Sequence, residues 1–176
     1  MESFILDSEG WKAEFCKMIE YVDKDGGYIN WSRIQRWDLR FLQLADFIAQ
    51  WSKDPSLKVG AVIIDSDHIV VGMGYNGFPR GVQDYEDRYE KRNLKLAYVV
   101  HAEVNATLNA TRSVKGCTLY HNQTFCCNEC AKLIIQAGIK TVVMVDDFVP
   151  ERWRELDLAA KIMFSEAGIE IRKVKL

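Results

Sequence analysis

The stretch HAEVNA beginning at His101 puts an imidazole two residues before a carboxylate, and FCCNEC beginning at Phe125 crowds together Cys126, Cys127 and Cys130. Cys127 and Cys130 have C-x-x-C spacing, which lets two thiolates reach one zinc ion from a turn that leads into a helix, and His101 is the candidate third ligand. Three protein ligands leave one coordination position open. An open position separates catalytic from structural zinc, because water held there is acidified near neutral pH. Glu103, in the first turn of the helix that His101 begins, is then placed to move that water's proton. The alternative is a closed structural site with Cys126 as fourth ligand, although adjacent thiolates rarely both point at one ion. Both motifs stand where helix N-termini are expected, and the positive ends of helix dipoles favour an anion.

The totals are consistent with an enzyme of this kind. A chain of 176 residues with 48% hydrophobic and 27% charged residues suits a globular fold with a substantial core. Its net charge of -2 supplies no basic field of the sort that gathers nucleic acid. The N-terminal MESFILDSEG carries acids where an export signal needs a positive start, and no apolar run approaches the roughly 20 residues of a membrane span. A cytoplasmic protein with no membrane and no nucleic-acid partner is therefore expected. Five cysteines, three of them clustered, then point to a metal or a catalytic thiol rather than to disulfides.

The surrounding pattern supplies the elements that must hold these residues. Trp11, Phe15, Ile19 and Val22 recur at helical spacing before Asp25-Gly26-Gly27 and predict an accessory helix. A second helix is predicted from Trp37 to Ser52, stopped by Lys53-Asp54-Pro55. VGAVIID and IVVGMGY around Asp65-Ser66-Asp67-His68 predict a hairpin, and the charged, tyrosine-rich segment 81–96 a surface insertion. Helices from about His101, from Asn128 to Ala137 and from Arg152 to Ala167 then alternate with strands near 117–121, at TVVMVDD and at IEIRKV. Strands separated by helices imply parallel pairing, so the prediction is a mixed sheet with helices on both faces.

H-x-E followed by a C-x-x-C pair is the arrangement of zinc-dependent nucleobase deaminases. VGAVI, GYNGFPRG, HAEVNA and CNECAKLIIQAGIK, in this order and spacing between about Phe41 and Val174, resemble the deoxycytidylate deaminases of the cytidine deaminase superfamily. The resemblance implies a cytidine deaminase-like three-layer α/β/α fold with a five-stranded mixed sheet. It divides the chain into an N-terminal accessory extension, 1–36, and a deaminase domain, 37–176. The activity it implies is hydrolysis of dCMP to dUMP and ammonia, feeding dTMP synthesis. In that chemistry His101, Cys127 and Cys130 hold catalytic Zn2+, hydroxide on the ion attacks C4, and Glu103 passes the water's proton to N3 and then to the leaving amine. Asn76, in the GYNG turn, matches the family position that hydrogen-bonds the sugar. The Ala102 backbone is placed at the pyrimidine edge, and Tyr120 belongs to the strand that lines the base pocket.

Deoxycytidylate deaminases are typically homohexamers activated by dCTP and inhibited by dTTP, bound with Mg2+ at a second site. For that allosteric site the candidates here are Lys53, Asn76, Gly77, Arg80 and Arg112. Two departures from the family pattern stand out. Cys126 replaces the usual proline and is expected as buried apolar filler, and the span from Tyr120 to Cys127 is one residue longer than usual, which predicts a bulge. Two other functions compete with this one. A deaminase of tRNA or single-stranded DNA needs a basic, aromatic-lined channel, which the acidic balance disfavours. A catalytically silent nucleotide-binding regulator with structural zinc has no use for Glu103.

Overall fold

The computed structural model of the chain describes residues 31–175, and the accessory helix expected between Trp11 and Val22 lies outside them. A compact unit from Asp38 onward carries the five strands found among the described residues. Helix α1 (Trp31–Ala49) begins ahead of its predicted start at Trp37. The runs either side of residues 65–68 pair as an antiparallel hairpin, β1 (Gly60–Ile64) and β2 (Val70–Tyr75), with His68 at a φ of 63° in the turn. Next come two short helices, α2 (Glu86–Glu90) and α3 (Arg92–Tyr98), and then α4 (Ala102–Leu108). Strand β3 (Thr118–His121) pairs antiparallel with β1 on one side and parallel with β4 (Thr141–Val145) on the other. Helix α5 (Asn128–Gln136) joins β3 to β4, and α6 (Arg154–Glu166) joins β4 to the parallel edge strand β5 (Glu170–Val174). The sheet order is β2-β1-β3-β4-β5, the expected five-stranded mixed sheet.

Because the central strands are covered on both faces, they read as continuous apolar runs, and alternation along each strand decides which layer a side chain enters. Ala61, Ile63, Leu119, Val142 and Met144 point into one cluster with Ala106, Ile134, Ala160 and Phe164 from α4, α5 and α6. Val62 and Tyr120 face the other way, where Phe41 of α1 meets the Tyr120 ring at 5.1 Å. Three layers result. The helices lie so close to the sheet that a Cβ on Gly60 would meet the Ala45 carbonyl oxygen at 2.0 Å, and one on Gly74 would meet the Ala106 nitrogen at 2.3 Å. Only glycine admits that approach.

Segment 81–96 is largely exposed, as expected, and it folds into α2 and most of α3, from which Tyr89, Arg92 and Lys95 wall a cleft. The bulge expected from the longer span between Tyr120 and Cys127 leaves no mark on β3. Its register with β1 is unbroken from Ala61 opposite His121 to Ile64 opposite Thr118, and the irregular step falls instead between Ile63 and Ile64 in the β1–β2 pairing. The chain after His121 leaves the ladder as a loop. Asn122 anchors that loop, its side-chain carbonyl accepting from the Gly60 N–H at 3.0 Å and its amide donating to Asp46 at 3.1 Å. Among the described residues no helix is long and apolar enough to cross a membrane.

Candidate metal centre and catalytic cleft

Two helix starts bring the donors together. His101 is the residue that caps α4, with extended backbone (φ -72°, ψ 155°), and its ring makes no capping bond, which leaves it free to point outward. Cys127 caps α5 in the same conformation (φ -76°, ψ 157°), and its sulfur accepts from the Cys130 N–H at 3.4 Å. The three-residue step then places Cys130 in the first turn of α5 beside it. His101 Nδ1 lies 3.4 Å from Cys127 Sγ and 3.3 Å from Cys130 Sγ, and the three donor atoms all fall within 4.8 Å of one another.

The electrostatics favour a metal-ready thiolate. The Cys127 sulfur raises the His101 pKa to about 9. Hydrogen bonding from Cys130, with His101 behind it, lowers Cys127 to about 4, and the same contact pushes Cys130 up. One imidazole and two thiolates are a donor set that suits zinc, and no fourth His, Cys, Asp or Glu donor joins them among the described residues. Cys126 is buried, its sulfur rests 3.5 Å from the Cys127 carbonyl oxygen, and burial drives its thiol pKa up. Those properties belong to a packing residue.

Glu103 lies in the first turn of α4 with its side chain 7% exposed. Its Oε1 is 4.0 Å from Nδ1 of His121, a fully buried histidine whose two ring nitrogens have no hydrogen-bond partner among the described residues. Burial lowers the His121 pKa against the opposing pull of Glu103 and Cys127. His101, Ala102, Glu103 and Cys127 line an open cleft of about 360 Å³. Tyr89, Arg92 and Lys95 from α2 and α3 also line it, with Lys95 held 3.1 Å from Asp54 and 2.8 Å from Ser56 Oγ. Phe125 and Trp153 line it as a stacked pair with ring centroids 5.4 Å apart, and Arg152 lies over the Trp153 ring at 5.6 Å. Sequence reasoning missed these cleft residues and His121. The available signal was weak: cations and aromatics in segments that read as surface, and one histidine in an otherwise apolar strand.

Residues 35–146 match the family model for the cytidine and deoxycytidylate deaminase zinc-binding region. The chain belongs to this family. The human deoxycytidylate deaminase is 43% identical over 145 residues, which is 78% of this chain and 79% of that protein. Its mouse counterpart is 44% identical over 143 residues, with the same coverage. The dCMP deaminase from cyanophage S-TIM5, solved in complex with dCMP and dUMP, is alike in fold with a TM-score of 0.63 at 25% identity, covering 79% of this chain and 97% of that one. The chain is thus an enzyme of a deaminase family with the expected cytidine deaminase-like architecture.

The remaining residues singled out from the family pattern fare differently. Asn76 borders the cleft but is committed to the protein: its carbonyl accepts from the Val59 N–H at 2.8 Å, and its amide donates to Leu57 O at 2.9 Å and Asp54 at 3.4 Å. It braces loop 54–59. Tyr120 is not brought to the cleft at all. Strand alternation turns it to the α1 face, where its buried hydroxyl donates to Asp38 at 2.8 Å and Arg172 pairs with the same carboxylate at 2.9 Å. Of the candidate effector residues, Gly77 bridges Val100, Lys53 pairs with Asp84 at 2.8 Å, Arg80 reaches Asn109, and Arg112 pairs with Asp65. Each cation is held by a different acceptor.

Proposed function

We propose that this family member catalyses the hydrolytic deamination of dCMP to dUMP and ammonia. The observation that carries the proposal is a buried carboxylate, Glu103, beside the His101, Cys127 and Cys130 donors in a cleft whose volume suits a nucleotide, in a chain 43% identical to the human deoxycytidylate deaminase. His101, Cys127 and Cys130 would hold Zn2+, which supplies the Lewis acidity that makes water nucleophilic near neutral pH. Glu103 accepts one proton of the attacking water and delivers it to N3 as the C4–O bond forms, then carries the remaining proton of the new C4 hydroxyl to the amine, which leaves as ammonia as the C4 carbonyl forms. The Ala102 backbone meets the pyrimidine edge, and Phe125 with Trp153 forms an aromatic wall. Arg92, Lys95 and Arg152 are the cations available to the 5′-phosphate. In this proposal residues 37–176 form the catalytic domain of a cytoplasmic enzyme whose product feeds dTMP synthesis, and 1–36 are an accessory extension.

Ammonia release from dCMP, CMP, dCTP and a cytosine-containing oligonucleotide, measured side by side on zinc-loaded protein, tests this reading. The expected order puts dCMP first, with the oligonucleotide inert. A preference for the oligonucleotide would favour a nucleic-acid base deaminase, and no release from any substrate would favour a silent regulator.

The proposal extends to regulation of a homohexamer by dCTP as activator and dTTP as inhibitor, each bound with Mg2+ through Lys53, Arg80 and Arg112. An effector changes activity only through its different affinity for two states, so the measurement is coupling to substrate and not binding alone. dCMP saturation curves are expected to shift in opposite directions with the two triphosphates. Lys53→Ala or Arg80→Ala should blunt the shift while sparing zinc. Curves unchanged by saturating dTTP with Mg2+ would make the enzyme an unregulated deaminase.

A further inference from the structure

Among the described residues, the two ring nitrogens of His121 are the only buried side-chain polar atoms without a hydrogen-bond partner. It ends β3, and strand alternation turns it with Leu119 toward α4 and α5, the layer that carries the donor cluster. The backbone around it is rigidly placed, because His121 pairs with Ala61 across the β1–β3 ladder. Its Nδ1 lies 4.0 Å from Glu103 Oε1, and neither ring nitrogen belongs to the metal-donor group. A buried imidazole without partners is costly, and an aliphatic side chain would fill the same space without that cost. The position is explained if the ring finds its partner in Glu103.

We propose that His121 is a positioning residue for Glu103, its Nδ1–H closing onto Oε1 as a hydrogen bond that leaves Oε2 to face the reacting groups. The inference rests on Glu103 being the proton carrier of the proposed deamination. That carrier has to keep one oxygen within hydrogen-bond reach through successive transfers, yet a glutamate is tethered only at its Cα and turns about several bonds. A second tether at Oε1 removes that freedom without occupying the oxygen that works. A bond from a neutral donor to a carboxylate is charge-assisted, and burial strengthens it further. A neutral imidazole has a single N–H, so the Nδ1–H tautomer is required, with Nε2 left as acceptor. His121 itself gains and loses no proton in this scheme.

The test uses full-length, zinc-loaded enzyme. His121→Leu removes the donor while keeping the bulk, and His121→Asn restores an N–H close to the place of Nδ1. For His121→Leu the expected result is a kcat for dCMP roughly 10- to 100-fold lower, the scale of an ångström-sized misplacement, with KM little changed and zinc content intact. His121→Asn should recover most of that loss, which a purely packing role would not predict. In wild-type protein labelled with 15N-histidine, His121 should appear as the Nδ1–H tautomer, and Glu103→Gln should move that proton's resonance. An unchanged kcat in His121→Leu, an equal loss in His121→Asn, or an Nε2–H tautomer would overturn the proposal. The tautomer is read on wild-type protein, so it decides the matter even if the variants fail to fold. Absence of dCMP turnover by wild-type enzyme would instead remove the functional reading, with the His121–Glu103 bond still judged by its resonance.

Discussion

Replacing Glu103 with glutamine is expected to leave zinc at one per chain and to remove deamination. The amide has nearly the same volume in a site only 7% exposed, so packing survives. The negative charge lost from the first turn of α4 is worth about 0.3–1 kcal/mol, too little to unfold the domain. The donor cluster survives as well, since it comprises His101, Cys127 and Cys130 and not Glu103. What disappears is a group able to take up and return a proton. General acid–base catalysis contributes roughly 10²- to 10⁴-fold for a single transfer, and one residue serving several transfers stands to lose more. Ammonia release and metal content measured on the same preparation check the claim. Near wild-type turnover at full zinc occupancy would take the proton-carrying role away from Glu103.

Cys127→Ser is expected to empty the metal site while α5 stays folded, because Cys127 has two tasks that serine separates. As the cap of α5, its sulfur accepts the Cys130 N–H, and a serine oxygen is a good substitute at that position. As the proposed ligand, it would supply a soft thiolate that a hydroxyl does not replace. Zinc should fall from one per chain to a trace. Thermal stability should fall with it, because a ligand held 100-fold above its dissociation constant by the native state alone contributes about 2.7 kcal/mol. A chelator should therefore lower the melting temperature of the wild type to that of the variant and leave the variant unmoved. Cys126→Ala is the control and should keep its zinc, since the Cys126 sulfur lies outside the donor group. Full zinc in Cys127→Ser together with zinc loss in Cys126→Ala would transfer the ligand assignment to Cys126.

Much of this was legible in the chain because the relevant geometry is local. A three-residue step on a helix always places Cys127 and Cys130 on one turn, and a two-residue step places Glu103 in the first turn of the helix that His101 caps. The hairpin at 65–68 and the glycines that end α5 and α6, Gly138 at φ 76° and Gly168 at φ 68°, follow from turn and cap chemistry of the same short range. Strands alternating with helices dictated the parallel half of the sheet.

Other features depend on contacts between residues far apart in sequence, where local patterns carry no information. Which face of β3 receives Tyr120 is a matter of register, and a one-residue alternation sends it to Asp38 and Arg172 while turning His121 toward the donor layer. That Asn76 turns its amide to loop 54–59 could not be read from GYNG, because its partners, two backbone groups and the Asp54 carboxylate, lie 17 to 22 residues away. Segment 81–96 reads as surface because its charges are exposed along one side, yet packing against the cleft brings in Tyr89, Arg92 and Lys95. The donors, the acid and the order of the elements were readable from the chain, since those depend on residue type and short spacing. That His101 meets thiols 26 and 29 residues away, and that Glu103 lies beside a histidine whose ring nitrogens have no hydrogen-bond partner among the described residues, follows from the fold, because both require the sheet to bring α4, β3 and α5 together.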